Sequence, residues 1–129
     1  MTQNKNYNWQ GKTILIVEDN DINFLLTKEI LLKTKVVCIR VKDGPSAINL
    51  SQKNININLI LMDLAMPGID GLETTKKIHE IIPNIPILGF SALDNKEEFI
   101  EVGACGFIQK PFEVHDFFSI IDEQFQKQN

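Results

Sequence analysis

Polar residues end four of the apolar runs in this 129-residue chain. Glu18 and Asp19 follow Thr13-Ile14-Leu15-Ile16-Val17. Asp63 follows Leu59-Ile60-Leu61-Met62, Ser91 follows Ile87-Leu88-Gly89-Phe90, and Lys110 follows Gly106-Phe107-Ile108-Gln109. Gathered in one cleft, the carboxylates repel: two unit charges ~4 Å apart interact by about 4 kcal/mol at an effective dielectric of about 20. Such a site must raise a pKa, bind a cation or hold a lysine close. Hard oxygen ligands select Mg2+ or Mn2+. A carboxylate that is also a nucleophile gives an aspartyl phosphate. Ser91 can then hydrogen-bond one phosphoryl oxygen and Lys110 can pair with another. Taken singly, each residue has an ordinary role: Asp63 caps a turn, Ser91 caps a strand end, Lys110 joins an ion pair, and the acids form a wetted rim.

The elements around these residues decide between the two readings. The runs ending at Val17, Met62, Phe90 and Gln109, with Val36–Val41, read as five strands, most of them apolar enough to be buried on both faces. Helical patterns lie between and after them. Ile22, Leu25, Leu26, Ile30 and Leu32 are expected to form the buried stripe of the first helix, opened by Asn20 or Asp21. Ser46–Lys53 forms a short second helix, and Leu72, Thr75, Ile78 and Ile82 mark the third. Asp94–Val102 forms a fourth, stopped by Gly103, and Val114, Phe117, Phe118, Ile121 and Phe125 mark the last. Pro67, Gly68 and Gly71 turn the chain after Asp63. Asn54–Asn58 alternates like a strand but reads better as a loop running into Leu59. Strands alternating with helices imply a parallel sheet with right-handed crossovers. All strand carboxyl ends then lie on one edge, so Glu18, Asp19, Asp63, Ser91 and Lys110 converge on one pocket.

These residues resemble the receiver domain of bacterial two-component response regulators. I-L-I-V-E-D-N is similar to that family's first strand and acidic pair, and L-I-L-M-D-L-A-M-P-G-I-D-G to its phosphoacceptor segment. F-S-A resembles its hydroxyl strand end, and G-F-I-Q-K-P-F its lysine loop. The resemblance covers residues 12–126, with 1–11 as a leader or linker and 127–129 as a tail. Asn6–Lys12 resembles the linker of receivers fused to hybrid histidine kinases. It implies a flavodoxin-like (βα)5 doubly wound parallel sheet, strand order 2-1-3-4-5. It implies Asp63 as phosphoacceptor, Mg2+ (or Mn2+) held by Glu18, Asp19, Asp63 and the backbone carbonyl of Ala65, and Ser91 and Lys110 on the phosphoryl group. It further implies Ser91 and Phe107 as the switch pair and a cis Lys110–Pro111 bond. A sensor histidine kinase or phosphotransfer protein is the implied donor. Signalling to a downstream protein runs through the fourth helix, fifth strand and fifth helix. Two departures stand out. The interval from Ser91 to Gly103 is about one helical turn, three to four residues, shorter than in the family. Ala65 and Leu93, two residues past Asp63 and Ser91, lack the polar groups that tune phosphoryl loss there.

Composition narrows the rest. A net charge of −4 argues against nucleic acid as a direct partner. No apolar run approaches a membrane span, and the amino terminus lacks a signal-peptide core, so a cytoplasmic protein without direct membrane contact is expected. Cys38 and Cys105 fit no metal spacing and read as reduced core thiols. His79 and His115 read as ordinary helical histidines, Met66 as turn packing, and Trp9 either packs on the domain or hangs free. A haloacid-dehalogenase-like phosphatase would place D-x-D after the first strand and carry a cap insertion. Here Glu-Asp-Asn-Asp follows that strand and the chain has no room for a cap. A flavin-binding domain needs a small hydroxyl-rich loop in the same place, where an acidic loop repels phosphate. A binding module that no longer takes phosphate does not need the full acidic, hydroxyl and lysine set. The domain is therefore expected to catalyse only its own phosphorylation and dephosphorylation, not to be an enzyme acting on other substrates.

Overall fold

Strand and helix alternate five times along the chain. β1 (Thr13–Val17) leads to α1 (Asp21–Leu31), β2 (Val37–Val41) to α2 (Gly44–Ser51), and β3 (Leu59–Met62) to α3 (Gly71–Ile81). β4 (Ile87–Ser91) leads to α4 (Lys96–Glu101), and β5 (Gly106–Gln109) to α5 (Val114–Gln126). The structure, a computed structural model, describes residues 6–53, 55–66 and 68–128. Pro67, assigned to the turn after Asp63, and the first residues of the leader lie outside them. The strands form one parallel sheet in the order β2-β1-β3-β4-β5. The alternation predicts the parallel pairing, and the doubly wound, flavodoxin-like strand order is the one that the family resemblance implies.

The continuous apolar strands are explained by the two faces they serve. Ile14, Ile16, Leu59, Leu61, Leu88 and Phe90 pack against Leu31 of α1 and Phe117, Ile121 and Phe125 of α5. The alternate residues Leu15, Val17, Ile60, Met62 and Ile87 pack against Ala47 of α2, Ile78 of α3 and Phe99 of α4. Side-chain caps start three helices. Asn20 Oδ1 accepts from Asn23 N–H at 2.9 Å, Asp43 Oδ1 from Ser46 N–H at 2.7 Å, and Asp70 Oδ1 from Glu73 N–H at 2.9 Å. α4 has no such cap and spans six residues, fewer than the expected Asp94–Val102. It ends as expected before Gly103, whose φ of +116° favours glycine. No strand forms over residues 55–58, so β3 begins at Leu59.

Two sequence expectations are corrected, and the open question of Trp9 is decided. The stripe assigned to the inner face of α1 lies largely outward: Ile22, Leu25, Leu26 and Leu32 are 59–69% exposed. Thr27 and Leu31 are buried instead, with Phe24 and Ile30 half-buried. The helix carries apolar residues on two sides, and the side bearing Leu31, with Phe24 and Ile30, is the one that meets the sheet. Cys105 is not a core thiol: it is exposed, and Cys38 is half-buried, both free. Trp9 is buried at 4% exposure, its ring edge-on to Phe118 and Phe125.

Candidate functional site

The carboxyl edge of the sheet holds the site, and backbone pairing places its parts. Parallel pairing continues one residue past β1: the Glu18 N–H donates to the Val41 carbonyl at 3.1 Å. The Glu18 side chain is thereby held, 2% exposed, over the strand ends. Asp63 N–H donates to the Val17 carbonyl at 3.2 Å, and Leu64 N–H donates to Asp63 Oδ1 at 2.9 Å. Gly71, the first residue of α3, lies against this bend. Its N–H reaches the Leu64 carbonyl at 2.9 Å, and a Cβ there would overlap the Asp63 carbonyl oxygen. Lys110 N–H donates to the Ser91 carbonyl at 2.9 Å, tying the ends of β4 and β5 together.

One carboxylate oxygen each from Glu18, Asp19 and Asp63 lies within 4.8 Å of the other two. Lys110 Nζ pairs with Glu18 Oε1 at 2.9 Å and stands over the Phe90 ring at 4.3 Å. Burial first, and the Glu18 charge second, push Asp63 up to about 7, against a smaller opposing pull from Lys110. A site that resists its own negative charge to this degree suits a divalent cation. The donors are hard oxygens, with Asp19 exposed and Asp63 half-buried. Ser91 is buried at the next strand end, its Oγ accepting from Leu93 N–H at 3.2 Å. Ala65 is exposed on the loop past Asp63. Phe107 is half-buried on β5, its ring 5.8 Å from that of Phe99 and against Gly89, where a Cβ would collide with it. The Lys110–Pro111 peptide is cis. His79 stands beside Gly103, ahead of β5 and so at the opposite edge of the sheet, and His115 is exposed.

The sequence reading missed two features. A groove of about 500 Å3 runs between α1 and the β5–α5 loop, lined by Leu26, Ile30, Phe90, Pro111 and Phe112 and reaching Lys110. Arg40, in the edge strand β2, donates from Nε to the Glu18 carbonyl at 2.9 Å and pairs through Nη1 with Asp21 at 2.7 Å. The only sequence signal for Arg40 is a cation inside an otherwise apolar strand.

Residues 14–122 match the family described as the response regulator receiver domain. The chain belongs to that family. Receiver domains are signalling modules of two-component systems rather than classical enzymes, and they interact with histidine kinases or phosphotransfer proteins. This one is 36% identical over 115 residues to the polar-differentiation response regulator DivK of Brucella ovis, covering 85% of this chain and 93% of DivK. It is similar in structure to a CheY-like response regulator receiver domain of Methanospirillum hungatei. There the TM-score is 0.82 at 26% identity, over 91% of this chain and 95% of the other. It also resembles the receiver domain of the sensor histidine kinase PA1611 of Pseudomonas aeruginosa. That comparison gives a TM-score of 0.80 at 27% identity, covering 88% and 97%. The PA1611 structure has a magnesium ion coordinated in its active site cleft. Among the described residues of the present receiver, no helix is long and apolar enough to cross a membrane.

Proposed function

We propose that this receiver domain accepts a phosphoryl group on Asp63 from the phosphohistidine of a cytoplasmic histidine kinase or phosphotransfer protein. The observation that carries the reading is the meeting of Glu18, Asp19, Asp63 and Lys110 on one rim. An Asp63 oxygen attacks phosphorus, the P–N bond breaks as the P–O bond forms, and the histidine nitrogen leaves to take up a proton. Glu18, Asp19, Asp63 and the Ala65 carbonyl would hold Mg2+, with Mn2+ as a substitute of the same hardness. Bound there, the cation supplies charge neutralisation for the transferring oxygens. Lys110 leaves Glu18 for one phosphoryl oxygen, and Ser91 donates its hydroxyl to another.

Signalling follows from that movement. Ser91 swings toward the new anion and Phe107 turns into the space it leaves. The surface of α4, β5 and α5 then changes as a population shift. Phe107 has no hydroxyl to hold an outward state, so packing alone opposes the turn. For the donor, the exposed apolar residues of α1 and the groove beside Lys110 offer a contact surface next to the acceptor.

Acetyl phosphate tests the chemistry without a partner. Incubation with Mg2+ is expected to add one phosphoryl group by intact mass, and to add none to Asp63→Asn or in the presence of a chelator. Sustained turnover of a general phosphomonoester overturns the reading in favour of a phosphatase.

A further inference from the structure

We infer that Arg40 is a positioning residue for the acidic pair, a fork on the edge strand that pre-orders the β1–α1 loop for the cation. The inference rests on the proposed function, because it assigns Glu18 and Asp19 to the metal. Arg40 is 16% exposed and makes three attachments at once. Its Nε donates to the Glu18 carbonyl at 2.9 Å, its Nη1 pairs with Asp21 at 2.7 Å, and its guanidinium lies over the Phe24 ring at 4.8 Å. Asp19 lies between the first two anchors. The Glu18 backbone is therefore gripped from both sides, by Val41 at its N–H and by Arg40 at its carbonyl. Asp21, the first residue of α1, is fixed by the same planar group.

The attachments matter for order more than for their own energy. Asp21 is 68% exposed, and an ion pair with so wet a partner contributes little stability. Lys42 also reaches Asp21, at 3.4 Å, so Arg40 is not needed merely to neutralise it. What Lys42 does not supply is a second donor aimed at the Glu18 carbonyl. A guanidinium presents donors in a rigid plane, and an ammonium is a point charge. Holding the backbone on both sides of Asp19 before the cation arrives removes an ordering cost from binding.

The sign of the effect separates positioning from simple charge. A cation beside three carboxylates repels Mg2+, so loss of Arg40 acting only through its charge tightens metal binding. Loss of a clamp weakens it. Outer-shell partners of metal ligands typically contribute 10–100-fold in affinity. Calorimetric titration of metal-free protein with Mg2+ is therefore expected to show Arg40→Lys and Arg40→Gln both weaker by about tenfold. Phe24→Leu, which removes the stacking without changing charge, is expected to shift affinity in the same direction by a smaller factor. It also decides the matter should the Arg40 variants fail to fold, as judged by circular dichroism melts. Unchanged or tighter binding in Arg40→Gln, full retention in Arg40→Lys, or an unaltered Phe24→Leu overturns the clamp while leaving the proposed function intact. Wild-type protein that binds Mg2+ but is not labelled by acetyl phosphate overturns the function and leaves the clamp standing. Wild-type protein that binds no Mg2+ overturns both.

Discussion

Asp63 is held in a place that favours its neutral form: half-buried, with the Glu18 charge beside it, its pKa is raised to about 7. The stability consequence has a definite sign. The folded state keeps a proton on Asp63 at pH values where the unfolded chain has lost it, because the unfolded aspartate titrates near 3.8. Asp63 thus contributes stability below that value, and the contribution is lost as pH rises through 7. Thermal melts in chelator are expected to show midpoints falling from about pH 4 to about pH 7 and level above that. Asp63→Asn flattens this slope, since the amide has no proton to lose, and a slope unchanged in that variant refutes the assignment. Lys110 acts on the same balance from the other side. Its Nζ holds one carboxylate oxygen of Glu18 at 2.9 Å in competition with a cation, so Lys110→Ala is expected to bind Mg2+ more tightly by calorimetry while labelling more slowly with acetyl phosphate. Ala65 and Leu93, both exposed near the acceptor, carry no polar group to hold an attacking water. Label on the isolated phosphoprotein is therefore expected to decay slowly, and faster in Ala65→Asn. Rapid decay in the wild type, unaffected by that change, contradicts the expectation.

At the element scale, α1 is the informative case. Its outward residues Ile22, Leu25 and Leu26 contribute little to the core, so Leu26→Glu is expected to leave the melting temperature nearly unchanged. The same variant is expected to slow phosphotransfer from a cognate donor protein by about tenfold, the equivalent of about 1.4 kcal/mol, while small-molecule labelling is unaffected. Equal transfer rates remove α1 from the donor surface. Gly71 makes the opposite prediction: Gly71→Ala drives a methyl into the Asp63 carbonyl, costs about 1–3 kcal/mol in urea unfolding and weakens Mg2+ binding with it. These cases also show why parts of the molecule were legible in the sequence and others not. Strand ends announce themselves where an apolar run meets a polar residue, so Glu18, Asp19, Asp63, Ser91 and Lys110 could be assigned to one edge by order alone. The inner face of α1 could not, because periodicity finds a stripe but not which of two stripes meets the sheet. Thr27, polar in composition, is buried there with its hydroxyl donating to the Asn23 carbonyl at 3.0 Å. Arg40 escaped for a different reason: its partner at the site is a backbone carbonyl, which leaves no trace in residue type.

The sheet separates two apolar clusters, and among the described residues only one of them reaches the N-terminal segment. Trp9 joins the α1–α5 side, donates from Nε1 to Asp122 at 2.9 Å, and is pinned by its own N–H to the Thr34 carbonyl at 2.7 Å. Tyr7 and Phe118 pack around it, their rings 5.4 and 5.7 Å from Trp9. The N-terminal segment therefore straps α5 to the turn after α1, at the sheet edge opposite the acidic site. A partner 113 residues away in sequence is why composition could not decide between a packed and a hanging Trp9. Trp9→Ala removes a large buried ring and is expected to lower unfolding free energy by about 3–5 kcal/mol. Trp9→Phe keeps an aromatic contact but loses the Asp122 hydrogen bond, whose net worth is about 0.5–1.5 kcal/mol; a smaller ring adds a packing loss. Urea titrations should therefore rank wild type, Trp9→Phe and Trp9→Ala in that order. Because the strap lies far from Asp63, acetyl phosphate labelling per folded molecule should be equal in all three. A Trp9→Ala protein as stable as wild type shows that the segment only rests on the surface, and one that is stable but poorly labelled shows that α5 carries the strap's influence to the phosphoryl site.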